Sequence, residues 1–164
     1  MAEPINESRY QSLAEFWPYY LSEHRVPGDR VMHFIGTSWF FICLLAAILF
    51  VPERILPALA AVGAIGWYAS TFVERKRPAF AEVIVLFAIL VVAAPLLMLV
   101  GIGGAYFLAW CGHFGIEHNK PAAFRYPVWS FISDFQVWGM MATGRLWVGD
   151  TMKETPIVDA KTAA

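Results

Sequence analysis

Three stretches of this chain contain no Asp, Glu, Lys or Arg: residues 31–52, 55–73 and 83–116. A helix needs about 20 apolar residues, rising about 1.5 Å each, to cross a bilayer's hydrocarbon. The first two runs are each one crossing. The third would make a helix of about 50 Å, too long for a single leg, and reads as two. Two breakers can mark its turn, Ala94-Pro95 and the Gly101-Ile102-Gly103-Gly104 cluster. The residue before a proline avoids helical geometry, and clustered glycines favour turns. The glycine cluster is the preferred turn, and either choice leaves one leg short. The charged fraction, 15%, against about 25% in soluble domains, fits the same reading. The expected fold is an all-α, polytopic membrane helix bundle of about four transmembrane helices, with interfacial helices at both ends.

Four crossings leave Arg54 alone on one side. Every other Lys and Arg of the 12 falls opposite, including Arg75, Lys76, Arg77, Lys120 and Arg125. The positive-inside rule makes that side cytoplasmic, with both termini. There is no basic stripe for nucleic acid. Residues 1–9 are polar and do not resemble a signal peptide. Cys43 and Cys111 lie in apolar runs and read as reduced core thiols.

Residues 8–23 have an amphipathic pattern, with Tyr10, Leu13, Trp17, Tyr20 and Leu21 at helical spacing and Ser8 with Gln11 at capping-box spacing. Their aromatic face suits the membrane surface. Residues 127–141, opened by Pro127, form a second such helix. Glu74 to Arg77 reads as a solvated loop. One membrane-embedded domain, residues 1–149, is expected, followed by a flexible polar tail, 150–164.

The chain has four histidines, His24, His33, His113 and His118. None lies in the middle of a crossing, and all fall at the cytoplasmic edge. Imidazole is the commonest metal ligand. Pro27-Gly28 breaks the chain after His24; Asp29 then suits an N-cap, with His33 in the first turn that follows. His113 and Glu117, four apart, share a helix face. His118, five apart, points about 140° away and is a reserve ligand. Three imidazoles and a carboxylate suit Fe(II), Zn(II) or Mn(II). Asp134 is a candidate for orienting an imidazole from behind.

The segment Tyr20-Leu21-Ser22-Glu23-His24-Arg25-Val26-Pro27-Gly28-Asp29-Arg30-Val31-Met32-His33-Phe34-Ile35-Gly36 resembles the opening motif of the small integral-membrane 2-hydroxy fatty acid dioxygenases. Gly112-His113-Phe114-Gly115-Ile116-Glu117-His118-Asn119-Lys120-Pro121-Ala122 resembles that family's later signature, and residues 126–135 are similar to its bacterial branch. The resemblance implies an Fe(II)-dependent enzyme of fatty acid α-oxidation. It would use O₂ to remove one carbon from a long-chain 2-hydroxy fatty acid at a bacterial cell membrane. It implies that His24, His33 and His113 hold the metal, and Glu117 also matches the motif. Arg25 or Arg30 is then a candidate to neutralise the substrate carboxylate.

Two other readings compete. A zinc-dependent membrane hydrolase would use the same ligands. A non-enzymatic scaffold or transporter would instead carry ionisable residues near the midplane, which are absent. A di-iron desaturase is disfavoured, because four histidines are too few for two imidazole-bound metals.

Overall fold

The structure, a computed structural model, describes residues 9–151. Among them it is helical throughout, with no strand. The main elements are α1 (Leu13–Ser22), α2 (Pro27–Phe50), α3 (Pro52–Tyr68), α4 (Phe80–Ala93), α5 (Pro95–Gly112) and α6 (Pro127–Ala142). Proline punctuates this chain. Helices α2, α3, α5 and α6 each begin on one, where the missing N–H costs nothing. The residue before each is forced out of helical geometry; Val51, Ala94 and Tyr126 have φ of −140°, −143° and −138°.

That rule corrects the turn expected at the glycine cluster. The break falls at Ala94-Pro95, and the glycines lie inside α5. Their role is close packing against α2. A Cβ on Gly101 would sit 2.9 Å from Cys43 Cβ, and one on Gly104 2.6 Å from Trp39 Nε1. Across the same interface, a Cβ on Gly36 would meet the Ala105 carbonyl at 3.0 Å. Helices in lipid gain little from hydrophobic exclusion, so small residues that let backbones approach set the contact.

Three continuous helices are long and apolar enough to cross a membrane: Pro27–Phe50, Pro52–Val73 and Pro95–Glu117. The fourth leg, α4, has 14 residues, about 21 Å at the helical rise, and is short of a full crossing. Large apolar side chains such as Ile42, Leu49, Ile84, Leu96 and Phe107 point outward. The turns after α2 and α4 pack together at one end, where Ile55, Ala93 and Ala94 share a core and Arg54 donates to the Val92 carbonyl at 2.7 Å. The opposite end gathers the start of α2 and the end of α5.

Each flanking helix packs one face against the rest of the bundle. Helix α1 begins at Ser12, whose hydroxyl accepts from Glu15 N–H at 3.1 Å; the expected cap at Ser8 lies outside the described residues. Phe16, Tyr20 and Leu21 are buried in an aromatic core with Tyr126 and Trp129 of the α6 start. Packing against α6 removes this face from the headgroup layer. The expected tail falls almost wholly outside the described residues, while Thr151 is buried and donates to the Leu21 carbonyl at 2.7 Å. Both cysteines are free, but only Cys43 is a core residue; Cys111 is exposed.

Glu74 is not in a solvated loop. It is fully buried, and its carboxylate accepts from Val128 N–H at 2.8 Å, at the α6 N-terminus. An acid there meets the positive end of the helix dipole and unpaired first-turn N–H groups. Burial nevertheless outweighs those contacts and pushes its pKa up to about 7. The folded-state value is raised, so the stabilising contribution is complete below the unfolded value and declines as pH rises through 7. Glu74→Gln is therefore expected to gain on wild type by about 3 kcal/mol between pH 4.5 and 8. Thermal unfolding of both proteins in detergent across that range checks it.

Candidate metal centre

The helix-start rule that opens α2 at Pro27 makes Asp29 its third residue rather than its N-cap, and puts His33 one turn further on. Residues four apart share a helix face, so Asp29 and His33 point the same way. His24 enters from the α1–α2 link, and His113 from the end of α5, where the helix widens into a π turn (His113–Glu117). All four side chains are buried, and one ligand atom from each lies within 4.8 Å of all the others. The three imidazole centroids are 4.6, 4.7 and 5.0 Å apart. Four ligands at about 2.0–2.2 Å round one ion stand about 3.3–3.6 Å apart when tetrahedral, so the cluster closes on a cation by about 1 Å at its widest.

Each imidazole is oriented from behind through Nδ1. His24 donates to the Tyr20 carbonyl at 2.7 Å. His33 Nδ1 lies 2.8 Å from Asp134 Oδ1, and His113 Nδ1 lies 2.8 Å from Asn119 Oδ1. These partners are oxygens that accept, which places the proton on Nδ1 and leaves the Nε2 lone pair for a metal. Asp134 also accepts from the Tyr20 phenol, and Asn119 donates to the Glu23 carbonyl and carboxylate at 2.8 and 2.9 Å. Burial, then the neighbouring His33 and His113, hold His24 well below the usual imidazole range and therefore neutral.

The inner atoms have no protein partner. His24 Nε2, His33 Nε2 and both Asp29 oxygens are buried without a hydrogen bond, and His33 Nε2 lies 3.7 Å from Asp29 Oδ1. A buried, unpaired carboxylate costs several kcal/mol and is ordinarily compensated by a cation. Three lone pairs and a carboxylate facing one point supply what a divalent ion needs, so the donor set fits the metal that the sequence implies. Gly112 makes room for it, because a Cβ there would collide with the Asp29 carboxylate.

Other candidates lie elsewhere. Glu117 does not join the cluster; its carboxylate accepts from Val26 N–H at 2.6 Å, at the start of α2. His113 and Glu117 are the two ends of the π turn, and the Glu117 carboxylate is taken up by the N–H at the start of α2 instead. His118 is exposed in a left-handed conformation, φ 58°, beyond the end of that turn. Arg25 pairs with Asp150 at 2.6 Å and is half exposed. Arg30 is buried and donates to the carbonyls of His24, Arg25, Leu146 and Gly149 at 2.7–2.9 Å, fastening the 146–149 segment over the His24 link. Sequence reasoning missed Asp29 as a member of the cluster, although its spacing from His33 is the one used to pair His113 with Glu117. Nothing in the sequence pattern singled out Asn119.

His118→Ala is expected to keep wild-type metal content. Gly112→Ala is expected to weaken metal binding about 10–100-fold, the range for a disturbed support of the ligand shell. Metal titration of the two variants separates these outcomes.

Comparison with known proteins agrees with the geometry. A family model described as 2-hydroxy-palmitic acid dioxygenase Mpo1-like matches residues 10–87 and 80–146, which include all four clustered residues. No curated protein and no solved structure matches the chain. With both histidine motifs inside the match and their side chains converging at one end of the bundle, the chain belongs to the Mpo1-like family.

Proposed function

We propose that the protein is an Fe(II)-dependent dioxygenase that shortens long-chain 2-hydroxy fatty acids by one carbon, with His24, His33, His113 and Asp29 holding the iron. The observation that carries this reading is the set of buried, unpartnered ligand atoms facing one point. The family description supplies the class of reaction and substrate. Bound Fe(II) would supply the one-electron chemistry toward O₂ that side chains lack.

The chain's own residues do the rest. Asp134, Tyr20 and Asn119 fix the imidazole planes, so the ligands are arranged before the ion arrives. Burial and the adjacent Asp134 carboxylate hold the Tyr20 phenol well above its ordinary pKa, so it remains a proton donor to that carboxylate. The aromatic core of α1 and α6 covers one side of the centre and excludes water.

The test is O₂ uptake by anaerobically purified, Fe(II)-loaded protein. Uptake is expected only with a long-chain 2-hydroxy acid, yielding an acyl product one carbon shorter. Uptake without that acid, or a product of unchanged length, overturns the reading. A zinc hydrolase would instead purify with zinc and consume no O₂.

The metal end of the bundle is proposed to face the cytoplasm, because it carries Arg75, Lys76, Arg77, Lys120 and Arg125 while Arg54 marks the far end. In intact cells, a cysteine at position 54 is expected to react with an impermeant thiol reagent and one at position 76 is not. Equal reactivity would reject the orientation.

A further inference from the structure

A cleft leads from the histidines into the bundle. On its α5 wall His113, Ala109, Ala105 and Ile102 recur at helical spacing, so one stripe descends from the ligand for about 16 Å at the helical rise. Helix α2 contributes a parallel descent through His33, Thr37 and Phe40. Phe131 of α6 and Phe87 of α4 face the lower part, with ring centroids 6.0 Å apart. Polar groups gather toward the top, and Tyr106, in ring contact with Phe87 at 5.6 Å, is the exception lower down. Of the upper groups, Ser130, 4% exposed, lines the cleft one helical turn from Asp134, and its hydroxyl has no hydrogen-bond partner. Trp110, 48% exposed, lines the same wall.

A buried hydroxyl without a partner costs about 1–3 kcal/mol, and it is explained where a ligand supplies the missing bond. Free space in the cleft is about 70 Å³, against about 10–15 Å³ for one water. That accommodates an oxygenated head near the histidines, while an apolar tail finds a largely apolar wall below them, formed by Ala109, Ala105, Ile102, Phe87 and Phe131. The polar top and apolar stripe match the two ends of one amphiphile. Aromatic residues such as Trp110 favour the membrane interface, where such a molecule already resides.

We propose that this cleft is the acyl site: the substrate enters from the bilayer beside Trp110, its head oxygens accept from Ser130, and its tail lies along Ala109, Ala105 and Ile102. The proposal rests on the dioxygenase reading for the identity of the head. Ser130 is a substrate-binding residue, and Ala109 sets how much tail passes the level of the metal.

The test uses the full-length, Fe(II)-loaded protein in lipid nanodiscs and a long-chain 2-hydroxy acid bearing a diazirine near its methyl end. After anaerobic irradiation, peptide mass analysis is expected to place adducts on α5 between Ile102 and Ala109 and on Phe87 or Phe131. Adducts confined to outward residues such as Leu49 and Phe107 overturn the proposal. Ala109→Phe is expected to cut that labelling and long-chain turnover at least tenfold, while metal content stays within twofold. Unchanged long-chain turnover overturns it. Should that variant fail to fold, Phe87→Ala, which enlarges the lower end, is expected to shift the preferred chain length upward, and no shift overturns the proposal. Ser130→Ala is expected to raise KM about tenfold with little change in kcat. Inner labelling without turnover of any 2-hydroxy acid would retain the cleft and sink the dioxygenase reading. Normal turnover with outer labelling alone would do the reverse.

Discussion

Alanine at His24, His33, His113 or Asp29, one at a time, is expected to abolish both metal retention and turnover, with losses well beyond the 10–100-fold typical of a supporting residue. Each supplies a separate element of the cluster: the α1–α2 link, two positions on α2, and the end of α5. An ion bound there ties those elements together, so the variants should also melt at lower temperature and lose the response of melting to added Fe(II). Asp134→Ala and Asn119→Ala are expected to fall in the 10–100-fold range, because they orient His33 and His113 without touching the ion. Glu117→Ala is the discriminating variant. Its carboxylate holds Val26 N–H at the start of α2, so metal content should persist with a modest loss of stability. Metal stoichiometry decides the matter: loss in Glu117→Ala with retention in Asp29→Ala would reverse the assignment.

The second large effect concerns the substrate's hydroxyl. A 2-hydroxy acid presents a carboxylate and an adjacent oxygen together, two points of attachment for the proposed site, whose lining includes the three clustered histidines and Ser130. The matching acid without that hydroxyl loses one of them and leaves a buried polar partner unpaired. Sites built to bind a hydroxyl reject the analogue lacking it by about 10⁴-fold or more. Turnover of the non-hydroxylated acid is therefore expected to be undetectable beside that of the 2-hydroxy acid of equal length. Replacing iron with zinc is expected to stop O₂ uptake even if the ligand geometry is preserved, since zinc has no redox chemistry. Comparable rates for the two acids, or activity with zinc, would reject the mechanism.

Charge-free runs and proline positions determined much of this fold by themselves. A backbone in lipid must satisfy its own hydrogen bonds, so runs of this length become helices whatever they pack against. Pro27, Pro52, Pro95 and Pro127 mark helix starts by local sterics, which require no tertiary partner. The grouping of His24, His33 and His113 at one end followed from the same logic, because helix length and direction place the two histidine motifs at one level.

Tertiary structure decided what local rules could not. Gly101 and Gly104 suit a turn or a tight helix crossing equally well, and only the approach of α2 selects the crossing. Glu74 reads as a loop charge until the start of α6 is laid against it. Asp29 and Glu117 are both carboxylates four residues from a histidine. Which one faces the histidines depends on the Val26 N–H that takes up Glu117 and on the missing side chain at Gly112, where α5 comes close enough to α2 for the Asp29 carboxylate to reach the cluster. The membership of the four-residue cluster is therefore a property of how two helices cross, settled by a few ångströms of backbone separation that no single segment encodes.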